Sequence, residues 1–78
     1  MSEITIREAR SEDARAIARL AALDEAEVPC GDALLAFVDG ELAVARSLRH
    51  GETVADPFRR TREVIDLLDL RAHQARAS

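Results

Sequence analysis

The chain has 78 residues, a formal net charge of −4, one cysteine and neither tryptophan nor tyrosine. That describes one small acidic domain, which argues against a nucleic-acid-coating role, and no apolar run approaches the roughly 18 residues a membrane span needs. A lone Cys30 closes no internal disulfide, and with two histidines for company it makes no thiolate zinc site, so no metal is expected.

Fifteen residues are alanine, which leaves 20 Ile, Leu, Val and Phe side chains to build a core. A chain of this size buries only roughly 60% of its unfolded surface, so its stability should be marginal. No basic-apolar-small leader opens the sequence, and the expected location is the cytoplasm.

Glu3 to Ala9 reads as a strand, because Ile4 and Ile6 alternate with Thr5 and Arg7. Ser11 is the expected N-cap of a first helix, with Glu12 and Asp13 in the turn where the helix dipole favours acids. Ile17, Leu20 and Ala21 share its inner side with Ala16 and Leu23 beside them, while Arg15 and Arg19 form a row on the outer side. The helix should end near Asp24–Glu27, ahead of Pro29 and Gly31.

Asp39-Gly40 predicts a two-residue hairpin loop, since both turn positions need positive φ. Folding about it pairs Val38 with Glu41, Phe37 with Leu42, Ala36 with Ala43 and Leu35 with Val44. In that register Phe37, Leu42, Leu35 and Val44 share one face, and Ala36, Ala43, Leu34 and Ala45 the other. A hairpin apolar on both faces should be covered on both, so helices are expected above and below the sheet. His50-Gly51 supplies a second turn, with Arg49 opposite Glu52 and a short strand over residues 52–55. Asp56-Pro57 ends that strand, and Thr61 caps a C-terminal helix whose polar stripe is Arg62, Asp66, Asp69, His73 and Arg76. Its apolar arc is wider than one sheet contact requires, which leaves surplus apolar surface. The fold class expected is therefore α+β, ordered β-α-β-β-β-α, with a mostly antiparallel four-stranded sheet. It forms a single domain over residues 1–76, and residues 77–78 are a frayed end.

Ile4-Thr5-Ile6-Arg7-Glu8-Ala9, Ser11-Glu12-Asp13-Ala14, and Leu35-Ala36-Phe37-Val38-Asp39-Gly40-Glu41-Leu42, in this order, resemble the N-terminal half of the GNAT-type N-acetyltransferases. The resemblance covers about the first 55 residues. It implies a half-GNAT-like fold and, beyond the fourth strand, a loop of the form Q/R-x-x-G-x-G/A. In that family the loop's backbone N–H groups hold the pyrophosphate of acetyl-CoA at a helix N-terminus. The corresponding stretch here is Asp56 to Val64, and neither possible register keeps a glycine: Arg62 and Val64, or Glu63 and Ile65, stand there instead. Side chains at those positions obstruct close approach of a cofactor. The family's further strands, with the acyl-thioester cleft and commonly a tyrosine proton donor, have no counterpart in this sequence.

Arg59, Arg60, Thr61 and Arg62 are the candidate cofactor-binding residues, because arginines and free helix N–H groups together suit phosphate or carboxylate. Their bland alternative is a solvated loop paired with Asp56, Glu63 and Asp66. His50 reads as an exposed turn residue, and His73 as a surface partner of Asp69 at i, i+4. Cys30 has only acidic neighbours and reads as a semi-buried loop residue. Glu41 and Glu52 are carboxylates near strand ends with no cleft to face, and Phe58 is expected to anchor its loop to the core. No catalytic residue is assigned. The expected function is a non-catalytic GNAT-like module that homodimerises or docks on a protein partner, with no cofactor, nucleic acid or membrane. The alternatives are an acetyl-CoA-dependent N-acetyltransferase assembled across a dimer and a regulator that responds to a phosphate-bearing anion or nucleotide.

Overall fold

A computed structural model describes residues 3–29, 31–49 and 51–77. Cys30 and His50, both singled out from the sequence, lie outside the described residues. The elements are β1 (Ile4–Glu8), a short 3-10 turn (Ser11–Asp13), α1 (Ala14–Leu23), β2 (Ala33–Val38), β3 (Glu41–Ser47), β4 (Thr53–Ala55) and α2 (Arg62–Ala77). The four strands form one antiparallel sheet in the order β1-β2-β3-β4, so the α+β class and the positions of both helices are as expected.

The helices cover opposite faces. On one side Ile17, Leu20 and Ala21 of α1 pack with Leu35, Ala45 and Val54, and Phe37 and Leu42 border them. On the other side Val64, Leu68 and Ala72 of α2 pack with Leu34, Ala36, Ala43 and Val44. The spacings 17, 20, 21 and 64, 68, 72 are single helical faces, which is why each helix contributes one stripe to its core. The alanines in the strands let both helix backbones approach the sheet closely, which a sheet of larger residues would prevent.

The hairpin turn forms at Asp39 (φ 52°) and Gly40 (φ 84°), with Val38 opposite Glu41 and Phe37 opposite Leu42. Past that point the register differs from the sequence expectation. Ala36 pairs with Val44 and Leu35 with Ala45, and Ala43 is the extra residue of a β-bulge. Ala43 and Val44 therefore both face α2, and Ala45 joins Leu35 and Phe37 beneath α1. Val44 and Ala45 thus exchange the faces expected of them. The β3–β4 turn is also longer than expected: Arg46 lies opposite Thr53 and the Ser47 amide donates to the Glu52 carbonyl, so Arg49 is not Glu52's cross-strand partner.

The first helix begins differently as well. Arg10, in extended conformation, precedes the 3-10 turn, and the Arg10 amide donates to Asp13 Oδ2 at 2.7 Å. Arg10, not Ser11, therefore stands at the cap, and Asp13 reaches back from the first turn to satisfy its amide. At the second helix the expectation holds, because the Ile65 amide donates to the Thr61 carbonyl at 2.8 Å as α2 opens.

Candidate functional site

Asp56 organises the loop that leads into α2. Its amide donates to the Ala43 carbonyl at 2.8 Å, which ties the loop to the bulge, and its Oδ1 accepts from the Phe58 amide at 2.8 Å. Its Oδ2 lies 3.5 Å from Arg59 Nε, and the Arg59 guanidinium also donates to Glu41 Oε2 at the start of β3. Of the four candidate residues, Arg59 is therefore committed to two carboxylates. Asp56 was a foreseen partner of this cluster; Glu41 was not, and Glu63 and Asp66 do not pair with it. Arg60 and Arg62 are exposed, and among the described residues neither has an ion-pair partner. Thr61, half-buried, contributes its carbonyl to the helix start.

Phe58 is 83% exposed, so it does not anchor the loop to the core. The Asp56 carboxylate holds its amide in the turn and the ring stays in solvent. Asp69 likewise has another partner than His73: its Oδ1 accepts from Arg46 Nε of β3 at 2.6 Å.

A groove of about 630 Å³ runs between α1 and the start of β3, with Arg15 and Arg19 on one wall, Glu41 and Asp56 on the other, and Leu20 and Leu42 between them. Glu41, one of the carboxylates lining this space, is held by Arg59. A general base needs to face the proton it takes, and this carboxylate faces a guanidinium. Among the described residues no cluster of three or more His, Cys, Asp or Glu is placed to hold a metal ion, and no helix is long and apolar enough to cross a membrane.

The strongest electrostatic contact was not foreseen from the sequence. Arg7 of β1 donates to Asp13 through both terminal nitrogens, at 2.7 and 2.8 Å, and its guanidinium sits 4.8 Å from the centre of the Phe37 ring. The Arg7 bonds, followed by the Arg10 amide, lower the Asp13 carboxyl from its ordinary 3.8 to about 2, and Asp13 in turn raises Arg7. The available signal was an arginine opposite a β2 face carrying Leu35 and Phe37, with an acid placed in the first turn of the next helix. These groups clamp β1 to the start of α1. They are structural, and among the described residues no further strand covers the outer edge of β1.

The surface also carries uncovered apolar side chains. Leu70 is 54% exposed, Ile4 43% and Leu67 38%. Comparison of the chain with protein-family models, with curated proteins and with solved structures finds no match in any of the three.

Proposed function

We propose that this chain is a non-catalytic interaction module of GNAT-like topology that acts by associating with a second copy of itself. The observation that supports this most is the sheet edge at β1, where among the described residues the outward backbone groups of Ile4 and Ile6 meet no further strand and Ile4 is exposed. Such edges are ordinarily blunted or paired. The exposed Leu67 adds apolar surface that association would remove from water. Catalysis is disfavoured by the residues themselves: Arg59 of the candidate loop is spent on Glu41 and Asp56, and side chains stand where a pyrophosphate loop needs glycine.

Sedimentation equilibrium across the micromolar range tests the reading. A mass approaching twice 8.6 kDa is expected, and a well-folded monomer at every concentration overturns it. The exposed, unpaired Arg60 and Arg62 favour one second reading, a module that responds to a phosphate-bearing anion. Thermal shift with pyrophosphate and with acetyl-CoA separates the readings. A rise with pyrophosphate alone supports the anion-responsive module, and a rise specific to acetyl-CoA supports an acyltransferase.

A further inference from the structure

Resting on that self-association reading, we infer that the second copy pairs antiparallel along β1, about a two-fold axis at Thr5, to make one continuous eight-stranded sheet from two four-stranded ones.

The backbone selects the edge. On β1 the Glu3 carbonyl and Ala9 amide bond to β2, and Thr5 and Arg7 stand opposite Phe37 and Leu35 in the same phase. The N–H and C=O groups of Ile4 and Ile6 therefore point away from the sheet. β4, the other edge, has only three residues, is followed by Pro57, and has its outward Ala55 amide bonded to Asp24 Oδ2 at 3.3 Å. One edge is short and partly capped; among the described residues the other is open at Ile4 and Ile6.

The side chains select the register. With the axis at Thr5, Ile4 lies opposite the second copy's Ile6, and the reverse, so these residues exchange four backbone hydrogen bonds about the axis. Between them Thr5 meets Thr5, and outside them Glu3 meets the second copy's Arg7 at both ends. Apolar, hydroxyl and opposite-charge pairs are the three cross-strand combinations that stabilise antiparallel sheets. Moving the axis to Ile6 sets Ile4 against Glu8, and moving it a further residue sets Arg7 against Arg7. Glu3 is exposed, and Arg7, held by Asp13 through both terminal nitrogens, keeps 32% of its side-chain surface, so Glu3 of the second copy meets it as a second, outer carboxylate.

The uncovered apolar surface lies on the same side. Ile4 and Ile6 face the α2 layer, where Ile6 already packs against the core. Asp69 occupies the flank of α2 turned toward Arg46 of β3, so Leu67, on the opposite flank, lies on the β1 side of the helix, with Leu70 beyond it on the outer face. Pairing through β1 sets four isoleucines between two such flanks.

Disulfide trapping tests the register. Facing residues in a non-hydrogen-bonded antiparallel pair have Cα atoms about 4.5 Å apart, inside the span a disulfide accepts. In a Cys30→Ser background, Thr5→Cys is expected to form a covalent dimer on mild oxidation, and Leu70→Cys to form far less. Ile4→Pro removes an outward amide without touching the β1–β2 ladder and should give a folded monomer by circular dichroism and sedimentation. If the wild-type chain is a dimer but Thr5→Cys stays unlinked and Ile4→Pro stays dimeric, the β1 assignment is overturned and self-association stands. If the wild-type chain is a monomer, both fall.

Discussion

The Asp13 carboxylate receives two bonds from Arg7 and one from the Arg10 amide, and this geometry has a pH signature. Its folded value of about 2 lies below its ordinary 3.8, so its contribution to stability is fully present above about pH 4 and is lost as the pH falls through 2. Asp13→Asn should lower the urea midpoint at pH 7, and the gap to the wild type should close on acidification toward pH 2. A gap that is constant with pH would show that the charge has no part in it. In the core, Leu68 is fully buried between α2 and the sheet, and Leu68→Ala should cost about 2–5 kcal/mol in chemical denaturation. In a domain this small that is enough to leave a large unfolded fraction at ambient temperature. The buried face of α1, Ile17, Leu20 and Ala21, was legible in the sequence, because a 3.6-residue period depends only on neighbours in the chain. The wide apolar arc of α2, by contrast, did not separate the buried Val64, Leu68 and Ala72 from the exposed Leu67 and Leu70. The Arg7–Asp13–Phe37 cluster was not legible either, because it forms only once β1, the 3-10 turn and β2 are brought together.

At the scale of the element, the β2–β3 hairpin separates what local chemistry specifies from what it leaves open. Asp39 and Gly40 both adopt positive φ, and Gly40→Ala meets no steric neighbour, so any loss reports backbone strain alone. About 1–2 kcal/mol is expected, read as a lower thermal midpoint with the fold intact. The turn was therefore predictable from two residues. The bulge at Ala43 was not. Register is ordinarily set by one polar and one apolar face, and here both faces of the hairpin are apolar and rich in alanine. A one-residue slip therefore exposed no polar side chain that could have betrayed it. Phe58 failed as an anchor for a similar reason. The Asp56 turn and the Arg59 ion pairs decide where that loop points, and they join residues of β3 to residues beyond β4.

For the whole molecule, association through β1 links stability to concentration. The thermal midpoint should rise with protein concentration, because a dimer that dissociates on unfolding is favoured by mass action. Glu3→Arg, which sets like charges opposite Arg7 across the axis, should weaken the dimer about threefold to tenfold, as expected for loss of opposite-charge pairs at exposed strand positions. The effect should shrink in high salt, and sedimentation at two ionic strengths checks it. By itself the sequence determined the elements, their order, the turn at Asp39-Gly40 and the need for a helix on each face, since all of these follow from periodicity and turn chemistry within a few residues. Tertiary structure alone decided the register beyond Ala43, the capture of Arg59 by a carboxylate 18 residues away, and which sheet edge stays open. Those depend on how strands far apart in the chain come to lie side by side, which no local pattern encodes.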